Sequence, residues 1–169
     1  TATPQHLFPS TACLVQDRLG ASNAAAYDLL AACSGFVYGM AQACGLVESG
    51  LARNVLVIGA ETLSRICDYT DRTTCILFGD GAAGALITAG DEETTTGFLG
   101  FELGSNGSGG KDLLIPGGGS ALPSSRMTNP SDGFLKMNGR EVFKFASRVI
   151  TDSTTRLLDK LEIGSDEID

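Results

Sequence analysis

The stretch Phe36-Val37-Tyr38-Gly39-Met40-Ala41-Gln42-Ala43-Cys44-Gly45-Leu46-Val47, followed after a polar break by Val55-Leu56-Val57-Ile58, decides the fold class. Phe36, Met40, Cys44 and Val47 recur at the spacing of one helical face, with Ala43 beside them, and Ser49-Gly50 ends the run. Ala41, Ala43, Gly45 and Leu46 make the helix apolar nearly all round, which predicts that it is buried. Val55–Ile58 is continuously apolar, the pattern of a strand covered on both faces. A helix that feeds such a strand is an α/β signature.

Upstream, Phe8–Leu19 reads as a short helix, with Pro9 in its first turn and Gly20 after its end. Ala24–Leu30 is an apolar stretch expected to form a strand leading into Ala31-Ala32-Cys33-Ser34-Gly35. Downstream, Cys75–Phe78 and Ala82–Ala89 are expected strands around a turn at Gly79-Asp80-Gly81, and Phe98–Leu103 is another. Between the last two, Asp91-Glu92-Glu93-Thr94-Thr95-Thr96-Gly97 reads as an exposed connection. Gly104–Gly110 and Gly117–Gly133 are loops rich in Gly, Ser and Pro, and loops of that length are usually functional or mobile. From Asn138 to Leu161, Val142, Ala146, Val149, Ile150, Leu157 and Leu161 fit one helical stripe, closed by Gly164.

The 169 residues carry a net charge of −8, which argues against a nucleic-acid binder because nothing here neutralises a run of phosphates. With 43% apolar and 19% charged residues the composition is globular, not disordered. No apolar run approaches the roughly 18–20 residues of a membrane span. The start, Thr1-Ala2-Thr3-Pro4, has neither a charged leader nor an initiator Met, so the chain is expected to begin partway through a longer protein. The 22 glycines are nearly double the usual share of about 7% and suggest tight turns and close backbone approaches. Five cysteines without a C-x-x-C pair fit neither a disulfide framework nor a zinc site. Together with a single histidine, this leaves no metal cage and points to a reduced, cytoplasmic protein.

Gly79-x-Gly81-x-x-Gly84, with Glu102 about 20 residues on, matches a dinucleotide fingerprint. Its context fails, because Ala82–Ala89 is too short for a crossover helix, and the glycines read better as close packing in a strand. A P-loop fails as well, since Asp112 follows Lys111 where Ser or Thr is needed. His6 precedes a Phe-Pro turn and lacks a catalytic context. Cys13, Cys44, Cys67 and Cys75 read as small hydrophobes. Cys33 differs, because it opens the apolar helix, where the helix dipole and backbone N–H groups favour a thiolate and can hold an oxyanion. On its own, that position fits either a nucleophile or a packing side chain.

The segment Ala31-Ala32-Cys33-Ser34-Gly35-Phe36 turns the balance when it is read with four others. These are Phe8-Pro9-Ser10-Thr11-Ala12, Asp68-Tyr69-Thr70-Asp71-Arg72, Phe78-Gly79-Asp80-Gly81-Ala82 and Met137-Asn138-Gly139-Arg140-Glu141-Val142-Phe143. Together they resemble β-ketoacyl-acyl-carrier-protein synthase III, the condensing enzymes that start type II fatty-acid synthesis. The resemblance implies a thiolase-like α/β fold of layers α-β-α-β-α. Residues 1–90 would be the later part of the first half, and 91–169 the opening of the second. The family nucleophile falls on Cys33, and the arginine that packs on the adenine of coenzyme A falls on Arg72. Met137, Gly139, Arg140 and Phe143 fall on the coenzyme A and pantetheine tunnel. Leu63 and Phe78 fall near the acyl pocket, and Lys144 on a basic position for docking the acidic carrier protein.

The activity implied is an acyl transfer in two steps. Acyl-coenzyme A, a substrate and not a cofactor, acylates Cys33, and malonyl-acyl-carrier protein then decarboxylates and attacks the acyl-cysteine. The resemblance implies a cytoplasmic homodimer that needs no metal, nucleic acid or membrane. The family's catalytic histidine and asparagine align beyond Asp169, and the loop Gly117–Pro130 looks longer than usual. The chain by itself is therefore expected to be inactive. With the neighbours of Val55–Ile58 and Ala82–Ile87 supplied from elsewhere, it is also expected not to fold stably alone. Two other readings stay open: a sister enzyme making a polyketide, quinolone or long-chain ketone, and a non-catalytic fragment acting as scaffold.

Overall fold

The computed structural model describes residues 1–91 and 96–168, so the connection at 92–95 lies outside the described residues. The chain divides into two compact units, Thr1–Leu63 with Gly79–Glu93, and Ser64–Phe78 with Thr94–Asp169.

In the first unit, helix α1 (Thr11–Arg18) begins two residues after Pro9, with Ser10 as its cap. The Ser10 hydroxyl accepts from the Cys13 N–H at 3.3 Å. The Asp28 carboxylate takes the N–H groups of Thr11 and Ala12, both at 2.8 Å. The orphan donors of the first turn are thus met by an anion, which also suits the helix dipole. Gly20, at φ +65°, ends the helix as expected. Residues 24–30, expected as a strand, form no ladder. Apolar character alone does not make a strand where no neighbouring strand pairs with it; the Leu29 carbonyl is met by the Thr1 amino group at 3.3 Å.

Helix α2 (Gly35–Glu48) packs against an antiparallel ribbon of β1 (Asn54–Thr62) and β2 (Asp80–Thr88), in register from Asn54↔Thr88 to Thr62↔Asp80. The approach is close. A Cβ on Gly39 would lie 2.9 Å from Val57 Cγ1, and one on Gly59 would lie 3.2 Å from the Phe36 ring. Only one face of the ribbon is covered. Val55 and Val57 are half-buried and Ile87 is buried, whereas Leu56 is 50% and Leu86 63% exposed. Within this chain α2 covers one face, and the exposed Leu56 and Leu86 mean that the expected cover on both faces is not supplied by the described residues alone. For the same reason α2 is not wholly buried: Ala43 is its one buried residue.

The fingerprint glycines Gly79, Gly81 and Gly84 run into and along β2, and they do not open a helix. The expected turn at Gly79-Asp80-Gly81 is instead the entry to this strand. Of the three glycines, only Gly84 is tightly approached, with the Val57 carbonyl 3.2 Å from where a Cβ would stand.

In the second unit, helix α3 (Gly139–Leu161) dominates. Val142, Ala146, Val149, Leu157 and Leu161 are half-buried, but Ile150 stands exposed and is no part of the covered stripe. The helix ends on Glu162 in the left-handed region (φ +56°), two residues before the expected Gly164. Residues 98–103, expected as a strand, have no ladder partner. They are held to α3 by side chains: Arg156 Nε to Glu102 at 2.7 Å, and Leu161 against Gly100. Cys75–Phe78 is also not a strand. It lies in a run of turns, closed by the Leu77 N–H on the Thr74 carbonyl at 2.9 Å.

The two long loops have local order. Met127 fills the space at Gly117 and Gly133, where a Cβ would lie 2.6 and 3.2 Å from its side chain. The Gly117 N–H donates to the Asp132 carbonyl at 2.7 Å. Two short strands missed by periodicity, β3 (Leu113–Leu114) and β4 (Lys136–Met137), pair antiparallel and lead into α3. The Leu135 N–H reaches the Ile66 carbonyl at 2.9 Å and ties β4 to the segment that carries Asp68–Thr74.

Candidate active site

Cys33 stands on a single 3-10 turn, Ala32–Ser34, immediately ahead of α2. The turn closes through the Ser34 N–H on the Ala31 carbonyl at 3.1 Å, and through the Gly35 N–H on the Ala32 carbonyl. Ala32 has φ +46°, in the left-handed region that costs a non-glycine residue about 1–2 kcal/mol. Backbone strain of this kind clusters at functional sites. Cys33 follows directly, and it is the one exposed cysteine of the five. The N–H groups of Ser34 and Gly35 are both used inside the turn. The Cys33 N–H makes no hydrogen bond with a described residue.

The other cysteines are occupied or enclosed. The Cys13 thiol takes a hydrogen bond from the Ser10 hydroxyl at 3.0 Å and donates to the Ala26 carbonyl at 3.3 Å. Cys67 is buried and Cys75 half-buried. Burial, and then the Glu48 charge, push the Cys44 thiol above its ordinary value. Iodoacetamide at neutral pH is therefore expected to label Cys33 first, and peptide mapping over time checks the order. Alkylation needs the thiolate. Cys44 should therefore become reactive only at a pH above that of an unhindered thiol, and prior labelling of Cys67 or Cys75 would contradict the assignment.

The candidates of the second unit sit on one turn and on the β4–α3 junction. Arg72 is exposed within the turn Asp68–Thr74. Asp68 Oδ1 accepts from the Thr70 N–H (2.9 Å) and hydroxyl (2.6 Å), and Asp71 Oδ1 does the same with Thr73 at 2.9 and 2.6 Å. These bonds, threonine hydroxyl first, hold both carboxyls below their usual range, and the Lys136 charge acts in the same direction. Lys136 thereby brings β4 within electrostatic reach of the Arg72 turn. Met137 is half-buried in β4 opposite Leu113. Its Cε lies 3.5 Å from where a Gly139 Cβ would stand. Gly139 and Arg140 open α3 in exposed positions, and Phe143 is 73% exposed on its next turn. Lys144 pairs with Glu141 at 2.8 Å on the surface, a contact worth about 0–1 kcal/mol.

Leu63, half-buried at the end of β1, belongs to the first unit, and Phe78, half-buried before β2, belongs to the second. His6 is exposed in an irregular stretch of the first unit. Sequence reasoning missed the strain at Ala32, which no residue type announced. It also missed the twin turns, although the repeated Asp-x-Thr spacing at 68–70 and 71–73 is a readable sign of side-chain-capped turns. Among the described residues, no group of three or more His, Cys, Asp or Glu is placed to hold a metal ion, and no helix is long and apolar enough to cross a membrane.

Residues 27–107 match the model of the family described as 3-oxoacyl-[acyl-carrier-protein (ACP)] synthase III. That segment holds Cys33, Leu63, Arg72 and Phe78. A β-ketoacyl-[acyl-carrier-protein] synthase III of Caldanaerobacter subterraneus is 51% identical over 170 residues, covering 100% of this chain and 51% of the relative. The crystal structure of a synthase III from Thermus thermophilus superposes with a TM-score of 0.85 at 45% identity, over 98% of this chain and 50% of that one. A priming β-ketosynthase from a polyketide pathway is more distant, with a TM-score of 0.73 at 26% identity over 96% of this chain and 55% of that one. The chain spans about half the length of the curated relatives it matches. The fold is thus thiolase-like and mixed α/β, and the chain belongs to the β-ketoacyl-[acyl-carrier-protein] synthase III family.

Proposed function

We propose that this chain carries the acyl-accepting cysteine of an enzyme that condenses an acyl-coenzyme A primer with malonyl-acyl-carrier protein. The observation that carries the reading is Cys33, exposed on a strained turn at the N-terminus of α2. In the first step the Cys33 thiolate attacks the thioester carbonyl carbon, and a bond from Sγ to carbon forms. The oxyanion meets the Cys33 N–H, the carbon–sulfur bond to coenzyme A breaks, and the coenzyme A thiolate leaves and takes up a proton. In the second step malonyl-carrier protein loses carbon dioxide. Its enolate carbon attacks the acyl carbon and releases Cys33, with the family's histidine and asparagine steadying the enolate.

In this proposal Arg72 packs against the adenine of coenzyme A, and Met137, Gly139, Arg140 and Phe143 line the pantetheine passage. Leu63 and Phe78 border the acyl chain, and Lys144 meets the acidic carrier protein. The whole enzyme works as a cytoplasmic homodimer without a metal or a separate cofactor. Identity near 50% to β-ketoacyl-[acyl-carrier-protein] synthases III, against 26% to a polyketide priming enzyme, supports the fatty-acid branch. The test is to incubate the whole protein with a panel of acyl-coenzyme A esters and to map the peptides by mass spectrometry. One acyl group on the Cys33 peptide is expected. Acylation of another cysteine, or of none, overturns the reading, and a preference for unusual starter acids moves it to the sister branch.

A further inference from the structure

Arg72 directly follows Asp71, with Asp68 four residues before it, and neither aspartate neutralises it. Its guanidinium makes no hydrogen bond or ion pair with any described residue. The reason lies in the turn. Both oxygens of Asp71 are taken, Oδ1 by the Thr73 N–H and hydroxyl, and Oδ2 by the Thr74 hydroxyl at 3.1 Å. The Asp71 carbonyl in turn accepts the N–H groups of Thr74 (3.2 Å) and Cys75 (3.1 Å). Thr74 is fully buried, so this end of the turn is anchored in packed structure. Asp68 holds the other end, with Thr70 on its side chain and the Asp71 N–H on its carbonyl at 3.0 Å. Arg72 is therefore an exposed residue of a turn, Asp68–Thr74, that is fixed at both ends.

We infer that Asp71 is a positioning residue for coenzyme A recognition: it fixes the backbone that presents Arg72 and, with its own lone pairs engaged, leaves the guanidinium free for the nucleotide. This rests on the reading of Arg72 given above. Without Asp71, Arg72 would have to be ordered at the moment of binding, and that cost falls on affinity, not on the chemical step. A thioester that lacks the nucleotide should not sense the change.

The test compares acyl-coenzyme A with the same acyl group on pantetheine, in the acylation half-reaction of the whole enzyme. Asp71→Ala is expected to raise the KM for acyl-coenzyme A about tenfold with kcat nearly unchanged, and to leave the pantetheine thioester unaffected. Asp71→Asn keeps an acceptor oxygen for Thr73 and should restore KM to within about twofold of wild type. Thr73→Val, at an exposed position, removes one bond and should give a smaller loss in the same direction; it carries the test if Asp71→Ala does not fold. Equal loss on both thioesters, or no loss on either, overturns the positioning role. Arg72→Ala separates the two layers. If it too spares the nucleotide substrate, the reading of Arg72 is at fault. If it selectively weakens coenzyme A binding while the Asp71 variants do not, only the role of Asp71 falls.

Discussion

Replacing Cys33 with alanine is expected to lower kcat for condensation by at least about a thousandfold, since in the proposed route the acyl group is carried on that thiol. Cys13 is engaged by Ser10 and Ala26, Cys44 is disfavoured as a thiolate, and Cys67 is buried. The same substitution should barely move stability. Cys33 is exposed, and surface changes away from caps and networks usually stay within about 0.5 kcal/mol. The pairing of a large catalytic loss with an unchanged Tm is the informative result. It is read by following product formation from labelled acyl-coenzyme A beside a thermal melt of the whole protein. Retained turnover in a folded Cys33→Ala variant would remove the cysteine from the mechanism.

The second large effect is one of stability. Ala43 is 1% exposed in α2, the helix that packs on β1 and β2. Ala43→Asp places a carboxylate where water is excluded, and no partner is in position to meet it. Leaving a charge buried and unpaired costs about 3–5 kcal/mol. For a protein of ordinary stability, about 5–15 kcal/mol, that is a large fraction of the whole. Loss of soluble protein, or a fall in Tm of the order of 10 °C, is expected. Ala43→Ser, small and able to bond a carbonyl of the preceding turn, should cost far less. Melting curves of the two variants against wild type check the contrast, and equal melting of all three would show that the α2 interface is loose.

Much of this architecture was legible because a few segments carry strong local signals. The apolar run from Phe36 to Val47 made α2 unmistakable, and Val55–Ile58 placed β1. Gly20 marks the end of α1 as read, whereas the helix starts at Thr11 behind Ser10 and not at Phe8, so Pro9 falls outside it. The misses share one cause, since a strand is a relation between segments. Ala24–Leu30 and Phe98–Leu103 have strand-like composition but no ladder partner. Leu113–Leu114 and Lys136–Met137 have little signal, yet pair because the chain brings them together. Cys75–Phe78 was read as a strand from its apolar side chains, but Asp71 and Thr74 hold its start in turns. At the site, the place of Cys33 ahead of α2 was readable from the helix it opens, and Arg72 was singled out only through the family resemblance. The strain beside Cys33 was not legible, because alanine is the residue least associated with unusual backbone.

That strain at Ala32 has a genetic consequence. Every alanine codon begins with guanine and cytosine, so one base change leads to glycine, valine, threonine, serine, proline, aspartate or glutamate. At φ +46°, proline is excluded by its ring, and valine and threonine by their branched side chains. Aspartate tolerates the backbone but would set a carboxylate beside a nucleophile that must itself become an anion. Glycine adopts the conformation freely, at the cost of a floppier unfolded chain. Of these neighbours glycine alone relieves the strain, so it is the least costly exit by point mutation from the position next to Cys33.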